Sequence, residues 1–444
     1  MNLSKEGNKN GYLLSISIIG ALFFIFGFVT WLNGILIPYL QISCELTNFQ
    51  ALFVAFAFYI SYTLMALPSS WILVKTGFKS GIMLGLVIMA LGTLIFVPAA
   101  LLRTYSIFLV GLFVMGTGLA LLQTAVNPYI TILGRRETAA VRLSIMGICN
   151  NLAGAIGPLI LAYYILNDGD AFVSALKTMD ATAQSMALDS LARRVIGPYI
   201  VMTIVLLALG ILIKFSPLPE VDEEIDEAAD NKTDTRTSIF QFPHLILGAV
   251  ALFFYVGVEV IAGNTIFTYG LSLGVPIDSA KSYTTMVMIT MLSGYVLGII
   301  LIPRVVSYHT VLSLSAILGM VFTISAILIP AQLTMTLPVV HIKLPYTIMF
   351  VALLGLSNSL IWPAIWPLAI HNLGHFIKPG SAMMIMAIAG GAILPLIWGY
   401  LSDNWSAQLA YWMLVPAYLI ILFYSLYGYK VRYWKLSTLL SSMV

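Results

Sequence analysis

Charge is scarce in this sequence. Aspartate, glutamate, lysine and arginine make up 9% of its 444 residues, where soluble globular domains carry roughly 25%. So few charges cannot cover a water-facing surface on a chain this long. The formal net charge is only +3, and the basic residues are scattered over short segments, so no patch for nucleic acid forms. Cysteine is scarcer still. Cys44 and Cys149 stand far apart in no paired motif, which excludes a disulfide framework and a cysteine metal site. A nucleotide-binding glycine loop, a nucleophile elbow and metal-ligand spacing are also missing. His371 and His375, four apart in "HNLGHF", permit a metal pair by spacing, but no acid lies near and a solvated helix end accounts for them. The sequence therefore predicts no enzyme, no bound cofactor and no metal centre.

Apolar residues fill the space that charge leaves. They make up 60% of the chain, and the mean hydropathy is +0.99. Lipid must then be the solvent for most of the protein. A run of roughly 20 apolar residues crosses a bilayer as a helix, because unpaired backbone groups are excluded from lipid. Twelve such spans are expected, at 12–42, 48–75, 78–102, 105–133, 141–166, 195–215, 243–270, 280–306, 309–332, 345–373, 379–402 and 407–433. The first run, from Gly11 to Tyr39, is too long for the core of a cleavable signal and reads as span 1.

The stretch "PLPEVDEEIDEAADNKTDTRTS" from Pro217 is acidic and poor in apolar residues. It reads as a linker at 217–240 between two six-span bundles, 1–216 and 241–444. Lysine and arginine gather at Lys5, Lys9, Lys75, Lys79, Arg135, Arg136, Arg142, Arg304, Lys378, Lys430, Arg432 and Lys435. An even number of spans puts these on one side, with Arg103, Lys281 and Lys343 on the other. The positive-inside rule makes the first side cytoplasmic, with both termini and the linker there. The expected location is the cytoplasmic (inner) membrane.

The two bundles share sequence. "ALFFIFGFVTWLNG" from Ala21 matches "ALFFYVGVEVIAGN" from Ala251, and "GAIGPLILAY" from Gly154 matches "GAILPLIWGY" from Gly391. Span 1 therefore repeats as span 7, and span 5 as span 11, in the same direction. Parallel six-span repeats are the architecture of major facilitator transporters, which place substrate at the midplane between the repeats. The predicted fold class is an all-α membrane protein of twelve transmembrane helices in two parallel-repeat bundles.

Polar residues inside the membrane are costly and mark candidate sites. Glu259 is the one acid that falls near the middle of a span. It could be a carboxylic acid bonded to a neighbouring helix, or a ligand for substrate hydroxyls or a coupling cation. The amides are Asn33, Gln123, Asn127, Asn150, Asn151, Asn264 and Asn358, over spans 1, 4, 5, 7 and 10. Each alone could be helix–helix glue, worth roughly 0.6 kcal/mol. Together they favour a central cavity. Trp362 and Trp366 are four apart and share a face with Asn358; an interfacial belt is the alternative, and Trp362 lies too deep for one. Amides supply donors and acceptors for sugar hydroxyls, and an indole supplies a flat wall for the C–H face of the ring. A small-molecule sugar is the expected substrate.

At these residues the chain resembles the fucose–galactose–glucose:cation symporter family of the major facilitator superfamily. The resemblance covers nearly the whole chain. It rests on "LNGILIPYLQ", "GLALLQTAVNPYITILG", "YVGVEVIAGN", "GLSNSLIWPAIWPLAI" and "GSAMMIMAIAGGAILPLIWGYLSD". It implies alternating-access transport of glucose, galactose or fucose, closest to the glucose/galactose branch, by a monomer. Substrate binding would fall to Asn33, Gln123, Asn127, Asn150, Asn264, Asn358 and Trp362, and coupling to Glu259.

The departures are as informative. Proton-coupled fucose members carry an acid where this chain has Gly34 and another where it has Gln123. Val74 stands where the superfamily's loop motif usually has an acid. Neither glycine nor glutamine can carry a proton, so Glu259 is left to couple Na+ or H+. The resemblance also implies that Asn33 and Gly34 face the cavity, with Gly34 marking a missing carboxylate. Three alternatives stay open: an uncoupled facilitator, a transporter-like sugar sensor, and transport of an amino sugar or nucleoside.

Overall fold

The computed structural model describes residues 9–132, 139–216, 236–301, 306–336, 343–373 and 376–434. The expected linker falls almost wholly outside them; its last residues form a 3-10 turn at Ile239–Gln241. Among the described residues, eleven helices are long and apolar enough to cross a membrane. One of these, Asn48–Leu101, runs for 54 residues. At roughly 1.5 Å per residue it is long enough to cross twice. It breaks at Gly77, whose φ of 75° is left-handed and open to glycine at little cost. Across that turn Gly81 lies against Leu73. The described residues thus make twelve crossings.

Span 1 is Lys9–Trp31 continued by Asn33–Ser43. Spans 2 and 3 are the two arms of the helix broken at Gly77. Span 4 is Tyr105–Ile132, span 5 Ala139–Ile165 and span 6 Ile196–Phe215. Span 7 is Pro243–Ser272, span 8 Tyr283–Leu301 and span 9 Tyr308–Leu328. Span 10 is Tyr346–Asn358 followed by Ile361–Ala369. Span 11 runs from Ile377 to Asn404, and span 12 from Ala407 to Leu426.

Prolines explain the interruption of span 10. Pro363 has no N–H to offer the carbonyl of Ser359 and crowds it, so the helix lapses at Ser359 and Leu360 and restarts. Two features escape a search for long apolar runs. Helices Gly169–Leu176 and Ala181–Arg193 lie between spans 5 and 6, the second capped by the Asp180 side chain on the Ala183 N–H at 2.7 Å. A hairpin of β1 (Thr334–Thr336) and β2 (Lys343–Pro345), with Met335 opposite Leu344, joins spans 9 and 10.

Span 1 packs on span 5, and span 7 on span 11. Each pair is drawn together at a glycine. A Cβ on Gly27 would stand 1.9 Å from the Asn150 carbonyl oxygen, and one on Gly390 would stand 1.7 Å from that of Phe253. A close backbone approach thus occurs in both halves of the chain, admitted by a glycine on span 1 in the first and by one on span 11 in the second. The first six spans meet the last six chiefly where span 5 faces span 8, span 2 faces span 11 and span 1 faces span 7.

Candidate functional site

Span 7 carries Glu259 one helical turn beyond Tyr255, a spacing that puts both on one face. The Tyr255 hydroxyl donates to Glu259 Oε1 at 2.9 Å. Three further tyrosines from other spans lie within electrostatic reach of the carboxylate: Tyr59 on span 2, Tyr295 on span 8 and Tyr418 on span 12. Among the described residues no ion pair involves Glu259. A carboxyl group partnered by a phenol hydroxyl can take up or release a proton without breaking a structural salt bridge.

The indoles stand beside this pair. Trp362 stacks on Trp366 at 5.5 Å between centroids and 19° between planes. The Tyr255 ring is 6.4 Å from Trp362. The Tyr418 hydroxyl donates to Asn358 Oδ1 at 2.8 Å. Spans 7, 10 and 12 therefore bring the acid, one amide and both tryptophans to one place, which is an arrangement for binding a ring with hydroxyls on its rim and apolar faces.

The first six spans contribute a second group. Gln123 Nε2 donates to the Tyr62 hydroxyl at 3.4 Å, and Tyr62 stacks on Tyr59 at 6.3 Å. Tyr59 links this group to Glu259. Asn150 Nδ2 reaches the Phe23 carbonyl at 3.4 Å, a long bond that leaves the amide ready to exchange. Asn151 Nδ2 donates to the Gly147 carbonyl one turn back, at 3.0 Å. The Asn127 side chain lies outside the described residues, as does His375. His371 offers its carbonyl to a ring nitrogen of His244 at 2.9 Å. Among the described residues no cluster of three metal-ligating side chains occurs.

The expected site residues divide by exposure. Gln123, Asn150, Glu259 and Trp362 are half-buried. Asn33, Asn264 and Asn358 are fully buried, and each keeps polar atoms with no partner: Nδ2 of Asn33 and Asn358, and both Oδ1 and Nδ2 of Asn264. A buried polar group left unpaired costs about 1–3 kcal/mol. Such atoms mark places where a ligand or ordered water completes the bonding.

Position 34 differs from the expectation. Gly34 is buried between spans rather than open to a cavity. A Cβ there would lie 2.8 Å from Thr284 Cγ2, 2.9 Å from Thr284 Oγ1 and 3.2 Å from the Gly263 carbonyl oxygen. Thr284 cannot easily retreat, since it is β-branched and its hydroxyl donates to that same carbonyl at 3.0 Å. The glycine lets span 1 touch spans 7 and 8, and this arrangement has no room for a carboxylate at that position.

Trp31 was not singled out by the sequence reading. Its ring fills the space where a Cβ on Gly154 or on Gly263 would fall, 2.4 Å from ring carbons in each case. Its Nε1 is buried without a partner. The tryptophan on span 1 thus wedges between span 5 and span 7. The signal was present in two glycines at matching depth, but nothing in one sequence tells which bulky side chain faces them.

A family model described as Major Facilitator Superfamily matches residues 19–386. A glucose/galactose transporter of Brucella abortus biovar 1 is 32% identical over 427 residues, 96% of this chain and 97% of that protein. An L-fucose-proton symporter of Escherichia coli K12 is 29% identical over 402 residues, 89% of each. The crystal structure of a major facilitator transporter, FucP, in the outward conformation superposes with a TM-score of 0.70 at 27% identity, covering 94% of this chain and 99% of that one. A D-xylose-proton symporter, 15% identical with a TM-score of 0.65, shares the fold. These are transporters rather than enzymes, and this is a multi-pass membrane protein. The chain belongs to the major facilitator superfamily and, within it, to the fucose–galactose–glucose:cation symporter family.

Proposed function

We propose that this protein is a secondary active hexose transporter, coupled to a cation through Glu259. The observation that carries this reading is the Tyr255–Glu259 hydrogen bond beside the stacked Trp362 and Trp366. A titratable group and a flat apolar wall suited to a sugar ring then share one site. The relatives named as glucose/galactose transporter and L-fucose-proton symporter support glucose, galactose or fucose as substrate. Binding is assigned to Asn33, Gln123, Asn127, Asn150, Asn264, Asn358 and Trp362. Two bundles, 1–216 and 241–444, rock about that site, joined by the linker 217–240. The termini face the cytoplasm of a bacterial-type inner membrane, and the working unit is a monomer.

Labelled glucose, galactose and fucose uptake into proteoliposomes tests the reading, with sodium and proton gradients imposed separately. Accumulation above equilibrium under one gradient supports it. Equilibration alone, under every gradient, would leave an uncoupled facilitator, which Gly34 and Gln123 favour. Binding with no movement at all would leave a sensor.

A further inference from the structure

The end of the bundle remote from the termini holds two carboxylates that reach across from one set of six spans to the other. At the end of span 11, Asp403 accepts from the backbone N–H groups of Asn48 at 3.2 Å and Phe49 at 2.8 Å, which open span 2. Just beyond span 5, Asp170 accepts from the N–H groups of Ile277 at 2.8 Å and Asp278 at 3.0 Å, which lead into span 8. The sequence repeat makes span 5 the counterpart of span 11 at an offset of 237 residues and span 1 that of span 7 at 230, and the second offset carries Asn48 onto Asp278. Neither offset carries Asp170 onto Asp403, but the two contacts are alike in kind: a carboxylate at the far end of span 11 or just beyond span 5 holds two N–H groups of the other half, once in each direction.

A glycine admits each of them. A Cβ on Gly399 would stand 2.7 Å from Leu52 Cδ1 and 3.0 Å from the Phe49 Cα, and one on Gly169 would stand 2.6 Å from Ile277 Cγ2. Beneath the carboxylates the seam continues. Thr285 Oγ1 donates to the Ala155 carbonyl at 2.8 Å, Gly34 meets Thr284 and Gly263, and Trp31 fills the gap between Gly154 and Gly263.

We propose that Asp170 and Asp403 are paired latches that hold the transporter shut at the end opposite its termini, so that both must release before that end opens. Their positions suit the task. An ionised carboxylate on backbone N–H groups is a strong hydrogen bond, yet Asp403 is exposed to solvent, so water can take over the bonds as the gate parts. This rests on alternating access in the proposed function, but not on the identity of the sugar or the ion.

The test is the accessibility of a single reporter cysteine, Thr284→Cys, in a Cys44→Ser/Cys149→Ser background. Thr284 is buried beneath the latches. Its labelling by a membrane-impermeant maleimide is followed from the side opposite the termini, without sugar. The Asp170→Ala/Asp403→Ala pair is expected to raise the labelling rate roughly tenfold by shifting the closed–open population. Asp403→Glu should keep it near the parent rate. If the double alanine variant does not fold, Asp170→Asn and Asp403→Asn read the same quantity singly, and each should raise the rate. Parent-like labelling in every folded latch variant would overturn the proposal. That result would leave the uptake test of the proposed function untouched, and failed uptake would leave this one untouched.

Discussion

The Tyr255 hydroxyl donates to the Glu259 carboxylate at 2.9 Å, one turn along the same helix. The bond fixes the carboxyl group of the only acid near the middle of a span, and its donor also lies against Trp362. The carboxyl group and the indole pair are thus tied through one phenol. Tyr255→Phe should keep the ring and lose the bond. A hydrogen bond to a charged group is worth roughly 1.5 kcal/mol or more, so gradient-driven uptake should need about tenfold more sugar or driving cation. Concentration dependence of uptake at fixed gradient measures it.

Gly34 is a packing residue. Gly34→Ala drives a Cβ against Thr284, and overpacking of this kind costs about 1–3 kcal/mol. The apparent melting temperature of the purified protein should fall. Adding Thr284→Gly, which removes both clashing atoms, should recover much of the loss. Gly34→Asp should behave as an overpacked variant and not as a gain of proton coupling. Proton-driven accumulation that rises in Gly34→Asp would show that the carboxylate is functional there after all.

Asn264 separates helix glue from ligand contact. Both of its amide atoms are buried without partners, so an apolar residue of like size removes an unpaired polar group and should be neutral or stabilising. Asn264→Leu is expected to keep or raise the melting temperature while uptake affinity drops about tenfold, the loss of one good hydrogen-bond pair. A large fall in stability with unchanged affinity would make it structural.

Arg194 grips Asp168 outside the spans, its second nitrogen reaching Asp168 Oδ2 at 2.9 Å. The hydrogen bond from Arg194 holds the Asp168 carboxyl below the usual carboxylate range, against a smaller opposing push from burial. A depressed folded-state value means the stabilisation is present at neutral pH and fades as pH falls through it. The carboxylate is half exposed, so solvent limits the effect to about 1 kcal/mol at most. Arg194→Gln should lower the melting temperature slightly at pH 7, and the difference from the parent should shrink as the pH falls below the ordinary carboxylate range.

Most of the fold was legible because lipid imposes long apolar runs, and the expected span limits fall within a few residues of the helices at spans 4, 6 and 7. The mixed helices at Gly169–Leu176 and Ala181–Arg193 were not, because their apolar stripe is short and faces protein. Within the site, Glu259 stood out as an acid in an apolar run. Trp31 and the role of Gly34 did not, since both depend on what lies opposite. A glycine that admits a neighbouring helix and a glycine that replaces a carboxylate look the same in one sequence.

The central claim is that Glu259 couples sugar movement to an ion. Glu259→Gln keeps the shape and the Tyr255 contact but cannot ionise. The most direct measurement compares gradient-driven accumulation with sugar–sugar exchange in proteoliposomes of this variant and the parent. The account predicts that accumulation is lost and exchange persists. Accumulation at the parent level in Glu259→Gln would contradict it.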